Sequence, residues 1–235
     1  MNDVLAYLEE REEEFARHLS IARMLQARVD DVVGVEFEVR HVNTIKSGLL
    51  IHLYNIVEAV TTRTLDCVGS TVVTERPKDW SAAVRKEWVR GAIWSGDDRI
   101  GEGAVNKLAD ISAALASGES PAAFKVKGEP GSWDDNAIKK VADRLGCTLV
   151  LTNDVRRAAY ERVYRDETTA MSHLAKRRNS IAHGSSTFED GANDLTLDDL
   201  ARMGERILPY LREVAESYRA FLDNKTFLAR QEQVG

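Results

Sequence analysis

Cysteine and long apolar runs are scarce in this sequence, and each scarcity excludes a class of protein. Cys67 and Cys147 lie far apart and form no CxxC pair, so we expect no disulfide framework and a reducing, cytoplasmic location. The longest apolar run, residues 49–53, contains His52 and is far shorter than the roughly 20 residues that cross a bilayer. We therefore expect no membrane span, and the first residues do not resemble a secretion leader.

Positive charge is also in short supply, because 32 lysines and arginines face 38 aspartates and glutamates, for a formal net charge of -6. That balance argues against a non-specific DNA-binding protein. The charge is uneven along the chain, however. Residues 1–14 hold six acids and one arginine, whereas residues 139–178 hold ten bases and five acids. A polyanion is therefore expected to approach the second half of the chain.

Several chemical signatures are missing. The sequence contains no GxGxxG, P-loop or GxSxG string, which argues against a nucleotide cofactor and against most hydrolase mechanisms. We take His18, His41 and His173 to have no acidic or cysteine neighbours at metal-ligand spacing. The sequence therefore predicts no metal ion and no other cofactor.

Apolar residues recur at helical intervals along most of the chain, which predicts an all-α protein with a single domain over residues 1–235. An acidic N-terminal helix is expected within residues 1–35, followed by a second long helix that begins near Glu36 or Val39. Residues 35–40 also alternate like a short strand, and that alternative stays open. Further helices are predicted at residues 79–94, 105–116, 134–145 and 153–182, and a last one from Thr196 that Pro209 should kink.

Three local signals mark the ends of these helices. Ser132 with Asp135, and Thr196 with Asp199, have the spacing of capping boxes. Gly146 is expected to end the helix over residues 134–145, because glycine readily takes the left-handed conformation found at helix ends.

The string RNSIAHG, residues 178–184, places a cation, an amide and an imidazole where a predicted helix meets Gly184. One interpretation is that Arg178 and His183 only complement the negative end of the helix dipole, each contributing some tenths of a kcal/mol. The other interpretation is RNA cleavage. A histidine of ordinary pKa, about 6.5, can take the proton of a 2′-hydroxyl, and an arginine can hold the phosphate with two hydrogen bonds.

With Lys176 and Arg177 before it, this string resembles the R-x(4–6)-H signature of HEPN ribonucleases. Two segments upstream resemble the RiboL-PSP and MAE-type branch of that superfamily, LLIHLYNIVEAVTTRTL at residues 49–65 and GSWDDNAIKKVADRLG at residues 131–146. The resemblance implies a helical bundle with long antiparallel helices. Relative to that bundle, residues 79–133 are expected to form inserted helices and loops.

The resemblance also implies the activity, which is metal-independent cleavage of RNA by 2′-hydroxyl transesterification, with Arg178, Asn179 and His183 as the catalytic residues. Family members commonly act as toxins or antiphage defence effectors. The resemblance therefore also implies an antitoxin or a defence-system partner. HEPN domains pair two chains so that both motifs line one cleft, which implies a homodimer here.

His52, Asn55 and Glu58 follow at three-residue steps on the second long helix and form a polar stripe. The stripe could be a solvated edge, or it could face the motif, where Glu58 could orient Arg178 or Asn179. A polar residue on this helix often lies by the active site in the family. That resemblance implies substrate-binding roles for Asn55 and Glu58, to which we add the basic pair at residues 176 and 177.

Helix geometry places Arg178 and His183 about 140° apart on an ideal helix, whereas Asn179 and His183 share a face. One chain is therefore not expected to bring the arginine and the histidine together. The alternative function is a non-catalytic HEPN-like module that binds a nucleotide or a protein partner in the same cleft. A further alternative is a helical scaffold in which the motif arises by chance.

Overall fold

A computed structural model provides the fold and describes residues 1–31, 38–93, 101–128 and 132–229. Over these ranges the chain forms eight α-helices and two 3-10 turns and contains no strand, which confirms the predicted all-α class. None of these helices combines the length and the apolar character needed to cross a membrane. Glu36 and Trp94, each a predicted helix boundary, and most of the possible strand at residues 35–40 lie outside the described residues.

The helices follow the predicted periodicity closely. They are α1 (Asn2–Asp31), α2 (Val39–Val72), α3 (Ala82–Ile93), α4 (Glu102–Ser117), α5 (Asp135–Leu145), α6 (Asn153–Tyr160), α7 (Ala170–Ala182) and α8 (Leu197–Asp223). As predicted, α2 begins at Val39, and α5 ends at Gly146, whose φ is 73°. The last helix, α8, continues on both sides of Pro209, the residue at which a kink was expected.

The predicted continuous helix over residues 153–182 is wrong, because the chain breaks between α6 and α7. Asp166 and Glu167 have φ values of 60° and 51°, in the left-handed region that a helix of L-residues cannot contain. Thr169 then caps a new helix, since its hydroxyl accepts a hydrogen bond from the Ser172 N–H at 3.2 Å. The RNSIAHG motif consequently lies on α7, a separate short helix.

The centre of the core is α2, which packs against α1, α7 and α8. Its residues Leu50, Leu53 and Val57 are fully buried, as are Leu8 of α1 and Leu200 of α8. Burying such an aliphatic side chain contributes about 1.5–3 kcal/mol. The position of α7, and of the motif it carries, is therefore set largely by α2.

The segment between α7 and α8 is tied to α2 by two basic side chains. The Lys46 ammonium is buried and donates to the carbonyl oxygens of Asn193, at 3.2 Å, and Leu195, at 2.8 Å. Burial lowers the pKa of Lys46. At the start of α2, Arg40 forms an ion pair with Glu189 at 3.0 Å. These contacts fix the chain just beyond the motif.

The predicted capping box of Ser132 and Asp135 is wrong. Asp134 caps α5 instead, because its carboxylate accepts the Ala137 N–H at 2.8 Å. Asp135 is buried and accepts a 2.6 Å hydrogen bond from the Thr169 hydroxyl at the start of α7. Of the three polar candidates at this helix start, Asp134 lies at the N-cap position, three residues before the free Ala137 amide.

The capping box of Thr196 and Asp199 at the start of α8 is confirmed. Hydrogen bonds from the hydroxyl and backbone N–H of Thr196, at 2.7 and 2.8 Å, help to lower the pKa of Asp199 from 3.8 to about 2. A carboxyl whose pKa is lower in the folded state stabilises the fold above its unfolded pKa. That stabilisation is lost as the pH falls toward the folded pKa.

We therefore expect the melting temperatures of the wild-type protein and of Asp199→Asn to converge as the pH falls from about 5 to about 2. Because the carboxylate is partly open to solvent, its contribution is below about 1 kcal/mol. Thermal unfolding followed by circular dichroism would measure this, with Asp198→Asn as the neighbouring control. A constant difference between wild type and Asp199→Asn across the pH range would contradict the expectation.

Candidate functional site

The motif occupies the C-terminal end of α7. His183 is the C-cap, with φ of -93° and ψ of 5°, and its backbone N–H donates to the carbonyl of Asn179. Gly184 follows with φ of 71°, the left-handed conformation that its position after the helix predicts. Arg178 and Asn179 therefore project from the last regular turns, and His183 lies at the very end of the helix.

The Arg178 guanidinium rests on α2. Its Cζ atom lies 4.6 Å from the centre of the Tyr54 ring, and its Nη2 atom lies 3.4 Å from Oε2 of Glu58. Its Nη1 atom donates to the Asn179 side-chain carbonyl at 3.1 Å. The ring and the two polar partners fix the plane of the fork, while 30% of the side chain stays exposed. The fork is thus positioned in advance and still reachable by an anion.

Asn179 links the motif to the segment that precedes α5. Its amide donates to the Ser132 hydroxyl at 2.6 Å, while its carbonyl oxygen accepts from Arg178. The Tyr54 hydroxyl accepts the backbone N–H of Trp133 at 3.1 Å. Sequence reasoning missed Tyr54 and assigned Ser132 to a helix cap. The only available signal for Tyr54 was its place in the α2 segment that resembles the family.

His183 is exposed, and its imidazole forms no hydrogen bond or ion pair within the ranges of the chain that the structure describes. Arg178, by contrast, contacts α2 and Asn179. No hydrogen bond within these ranges joins the arginine and histidine side chains.

The two basic residues before the motif differ in their surroundings. Both terminal nitrogens of Arg177 contact the carboxylate of Asp194, at 2.6 and 2.5 Å, and one of them also reaches the Gly191 carbonyl at 3.1 Å. The hydrogen bond from Arg177 lowers the pKa of Asp194. Lys176 is exposed. A substrate-binding role for either residue stays a prediction, and in this structure the Arg177 fork is already occupied.

The polar stripe on α2 is divided between two neighbours. Glu58 lies beside Arg178, as the second interpretation of the stripe expects, and Asn55 is exposed. His52 contacts α1 instead, where its Nδ1 atom lies 3.2 Å from Nδ1 of His18. Burial lowers the pKa of His52. The roles of Asn55 and Glu58 in binding substrate stay predictions.

One expectation about metal ligands needs correction. Glu14 lies one helical turn before His18 on α1, so His18 does have an acidic neighbour at metal-ligand spacing. The potential ligand atoms of Glu14, His18 and His52 all lie within 4.8 Å of one another. The third member comes from α2 and could be found only once the packing of the two helices was known.

Replacing Asn179 by Ala should lower stability by a modest amount, together with any RNA cleavage that the motif performs. The change removes the hydrogen bonds to Ser132 and Arg178, which together contribute about 1–3 kcal/mol. Any such cleavage should fall less than it does in His183→Ala, since we expect Asn179 to hold the motif and not to transfer a proton. Chemical denaturation of Asn179→Ala, Ser132→Ala and the double variant would give the coupling between the two side chains. If Asn179→Ala changed neither activity nor stability, the residue would be a surface residue only.

A family model described as HEPN_MAE_28990-like HEPN matches residues 104–227, more than half of the chain. The match contains RNSIAHG together with α5 to α8, and it begins after α2, so Tyr54 and Glu58 lie outside it. No curated protein and no solved structure matches the chain.

Proposed function

Because the chain belongs to the HEPN_MAE_28990-like HEPN family, we propose that it is an endoribonuclease that cleaves RNA without a metal ion. HEPN domains include ribonucleases and nucleotide-binding modules. The observation that favours cleavage is the pairing of a positioned, partly exposed Arg178 fork with an exposed imidazole at the end of the same helix. These are the two groups that transesterification requires.

In the proposed reaction the 2′-oxygen attacks the neighbouring phosphorus, and the bond from phosphorus to the 5′-oxygen breaks. His183 takes the proton of the 2′-hydroxyl, and the imidazolium that forms gives it to the leaving 5′-oxygen. Arg178 donates two hydrogen bonds to the non-bridging oxygens as negative charge builds on them. The products are a 2′,3′-cyclic phosphate and a 5′-hydroxyl.

Glu58 would act here as a positioning residue. Its side chain is 47% exposed and its carboxylate lies 3.4 Å from the guanidinium, and such exposed ion pairs contribute only about 0–1 kcal/mol. A phosphodiester offers a bidentate, charge-assisted pair to the same fork, which is stronger. The phosphate can therefore displace or share this contact, while Tyr54 keeps the guanidinium plane in place.

The unpartnered imidazole of His183 leads us to propose that two copies of the chain form the active cleft. A two-fold axis would bring the Arg178 of one copy near the His183 of the other. Groups from the partner copy could then orient an imidazole that nothing in the described part of its own chain orients.

The lack of a partner for the His183 imidazole in the described part of the chain also favours a second candidate function. This is a module that binds a nucleotide or a protein partner and does not cut RNA. A positioned arginine is sufficient to hold a phosphate, and binding does not need an oriented imidazole. His183→Gln separates the two functions, because binding would survive a neutral polar replacement and cleavage would not.

For the biological role, we propose a toxin or antiphage defence effector of the cytoplasm, held in check by an antitoxin or another protein of its defence system. The support is the family resemblance together with the proposed activity. A nuclease that cuts cellular RNA would have to be restrained between uses.

Cleavage can be tested with purified protein and total RNA in the presence of EDTA. We expect fragmentation in EDTA, with 5′ ends that accept phosphate from polynucleotide kinase directly and 3′ ends that carry a cyclic phosphate. His183→Ala, assayed in parallel, identifies contaminating nucleases. Fragments with 5′-phosphates, or cleavage that appears only after a divalent ion is added, would contradict the proposed chemistry.

A further inference from the structure

Two histidines and a glutamate meet at the contact between α1 and α2, on a different part of α2 from the residues that hold Arg178. Glu14 and His18 lie one turn apart on α1, and His52 lies opposite them on α2. The Nδ1 atoms of the two histidines are 3.2 Å apart, and Nε2 of His52 lies 3.6 Å from Oε2 of Glu14. The two short distances use different nitrogens of His52, and one potential ligand atom from each of the three residues lies within 4.8 Å of the other two.

The spacing of the two imidazoles suits a tetrahedral metal ion. Two nitrogens that each bind zinc at about 2.0–2.1 Å in tetrahedral geometry lie about 3.4 Å apart. The observed distance between the Nδ1 atoms of His18 and His52 is 3.2 Å. A simple N–H···N hydrogen bond between neutral rings would give the same distance. The carboxylate of Glu14 and the cleft beside the two imidazoles therefore have to distinguish a metal site from such a hydrogen bond.

The carboxylate of Glu14 is held by charged neighbours. Its Oε2 atom is buried and lies 2.5 Å from Nη1 of Arg11 and 3.6 Å from Nε2 of His52, and within the described parts of the chain neither contact is a well-aligned hydrogen bond. A cation bound between Glu14 and the histidines would share this oxygen with Arg11 or displace that contact.

A cleft lies beside the two imidazoles. It has a volume of about 300 Å³ and is lined by His18, His52 and apolar side chains that include Ile21, Leu25 and Ile45. This volume has room for a water molecule, and a water can fill the fourth position of a zinc ion that has three protein ligands.

From this geometry we propose that Glu14, His18 and His52 bind a zinc ion that fastens α1 to α2. Two imidazoles and one carboxylate form a ligand set that zinc uses in proteins, whereas magnesium and calcium prefer oxygen ligands alone. Glu58 follows His52 by six residues, about 9 Å along the helix axis. The site is consequently separate from the proposed cleavage site, and its expected effect is on stability.

The proposal can be tested on the full-length, tag-free, metal-stripped protein by isothermal titration with zinc chloride. We expect saturation at one zinc ion per chain. His18→Gln, His52→Gln and Glu14→Gln should each weaken binding by at least about tenfold, the scale on which even outer-shell partners of metal ligands act. Arg11→Gln should tighten binding, because it removes a cation that repels the metal. His41→Gln, on the first turn of α2, is the matched control and should bind like the wild type.

Thermal melts without metal would show whether each variant folds. Zinc should then raise the melting temperature of the wild type and of His41→Gln, and leave that of the His18→Gln, His52→Gln double variant unchanged. Absence of saturable binding to the wild type would overturn the proposal, as would equally tight binding to the double variant. Cleavage in EDTA is a separate assay, so failure of the zinc site and failure of the nuclease proposal can be told apart.

Discussion

Arg178→Ala and His183→Ala are each expected to lower RNA cleavage by about 10²–10⁴-fold, the usual range for loss of a positioned acid–base or charge-stabilising group. The fold should survive both changes. His183 is exposed and makes no side-chain hydrogen bond within the described ranges, and Arg178 is exposed over 30% of its side chain. The Arg178 change also removes the contacts with Tyr54 and Glu58, which together contribute about 1–2 kcal/mol.

Single-turnover cleavage of a labelled RNA, with circular dichroism on each variant, would measure this effect. Arg178→Lys keeps the charge but loses the planar fork, so its rate should lie between those of the wild type and the alanine variant. Arg157→Ala, on the exposed face of α6, controls for the loss of one positive charge. A folded His183→Ala protein that cleaved at the wild-type rate would rule out the proposed mechanism.

A mixed dimer of Arg178→Ala with His183→Ala is expected to recover part of the activity that each variant loses alone. If the cleft is shared, one of its two Arg–His pairs, formed by the arginine of one copy and the histidine of the other, remains intact. If each chain carried its own site, both sites would be broken. The helix geometry favours the shared cleft, because Arg178 contacts α2 while His183 is exposed beyond the end of α7.

The mixed dimer can be prepared by co-expressing the two variants with different tags and purifying over both affinity columns. The two variant homodimers, carried through the same steps, set the background. Activity no higher than this background would count against the shared cleft. A wild-type protein that was monomeric at assay concentration and fully active would exclude it.

Much of the fold could be predicted from sequence, because helical periodicity and capping are local properties. The start of α2 at Val39, the box of Thr196 and Asp199, and the left-handed Gly184 each depend on residues within one turn. The break before α7 was missed because residues 153–182 keep a helical pattern. The cap at Thr169 was therefore overlooked.

The surroundings of the candidate site could be predicted only in part. The motif itself is contiguous, so Arg178, Asn179 and His183 were found directly. The residues that position them come from elsewhere in the chain, Tyr54 and Glu58 from α2 and Ser132 from the segment before α5. The meeting of Glu14 and His18 with His52 likewise depends on how α1 packs against α2, which no local pattern encodes.

Because α2 lies at the centre of the core, the part of the chain that must fold together is larger than the part that the family model matches. The family match begins at residue 104, yet α7 and α8 both pack against α2, and Lys46 on α2 holds the carbonyls of Asn193 and Leu195. A gene fragment trimmed to the matched segment would leave those helices with an uncovered apolar face, and Arg178 without its aromatic support. The smallest autonomous piece of this chain therefore includes α2, and domain boundaries drawn from the match alone would cut through its core.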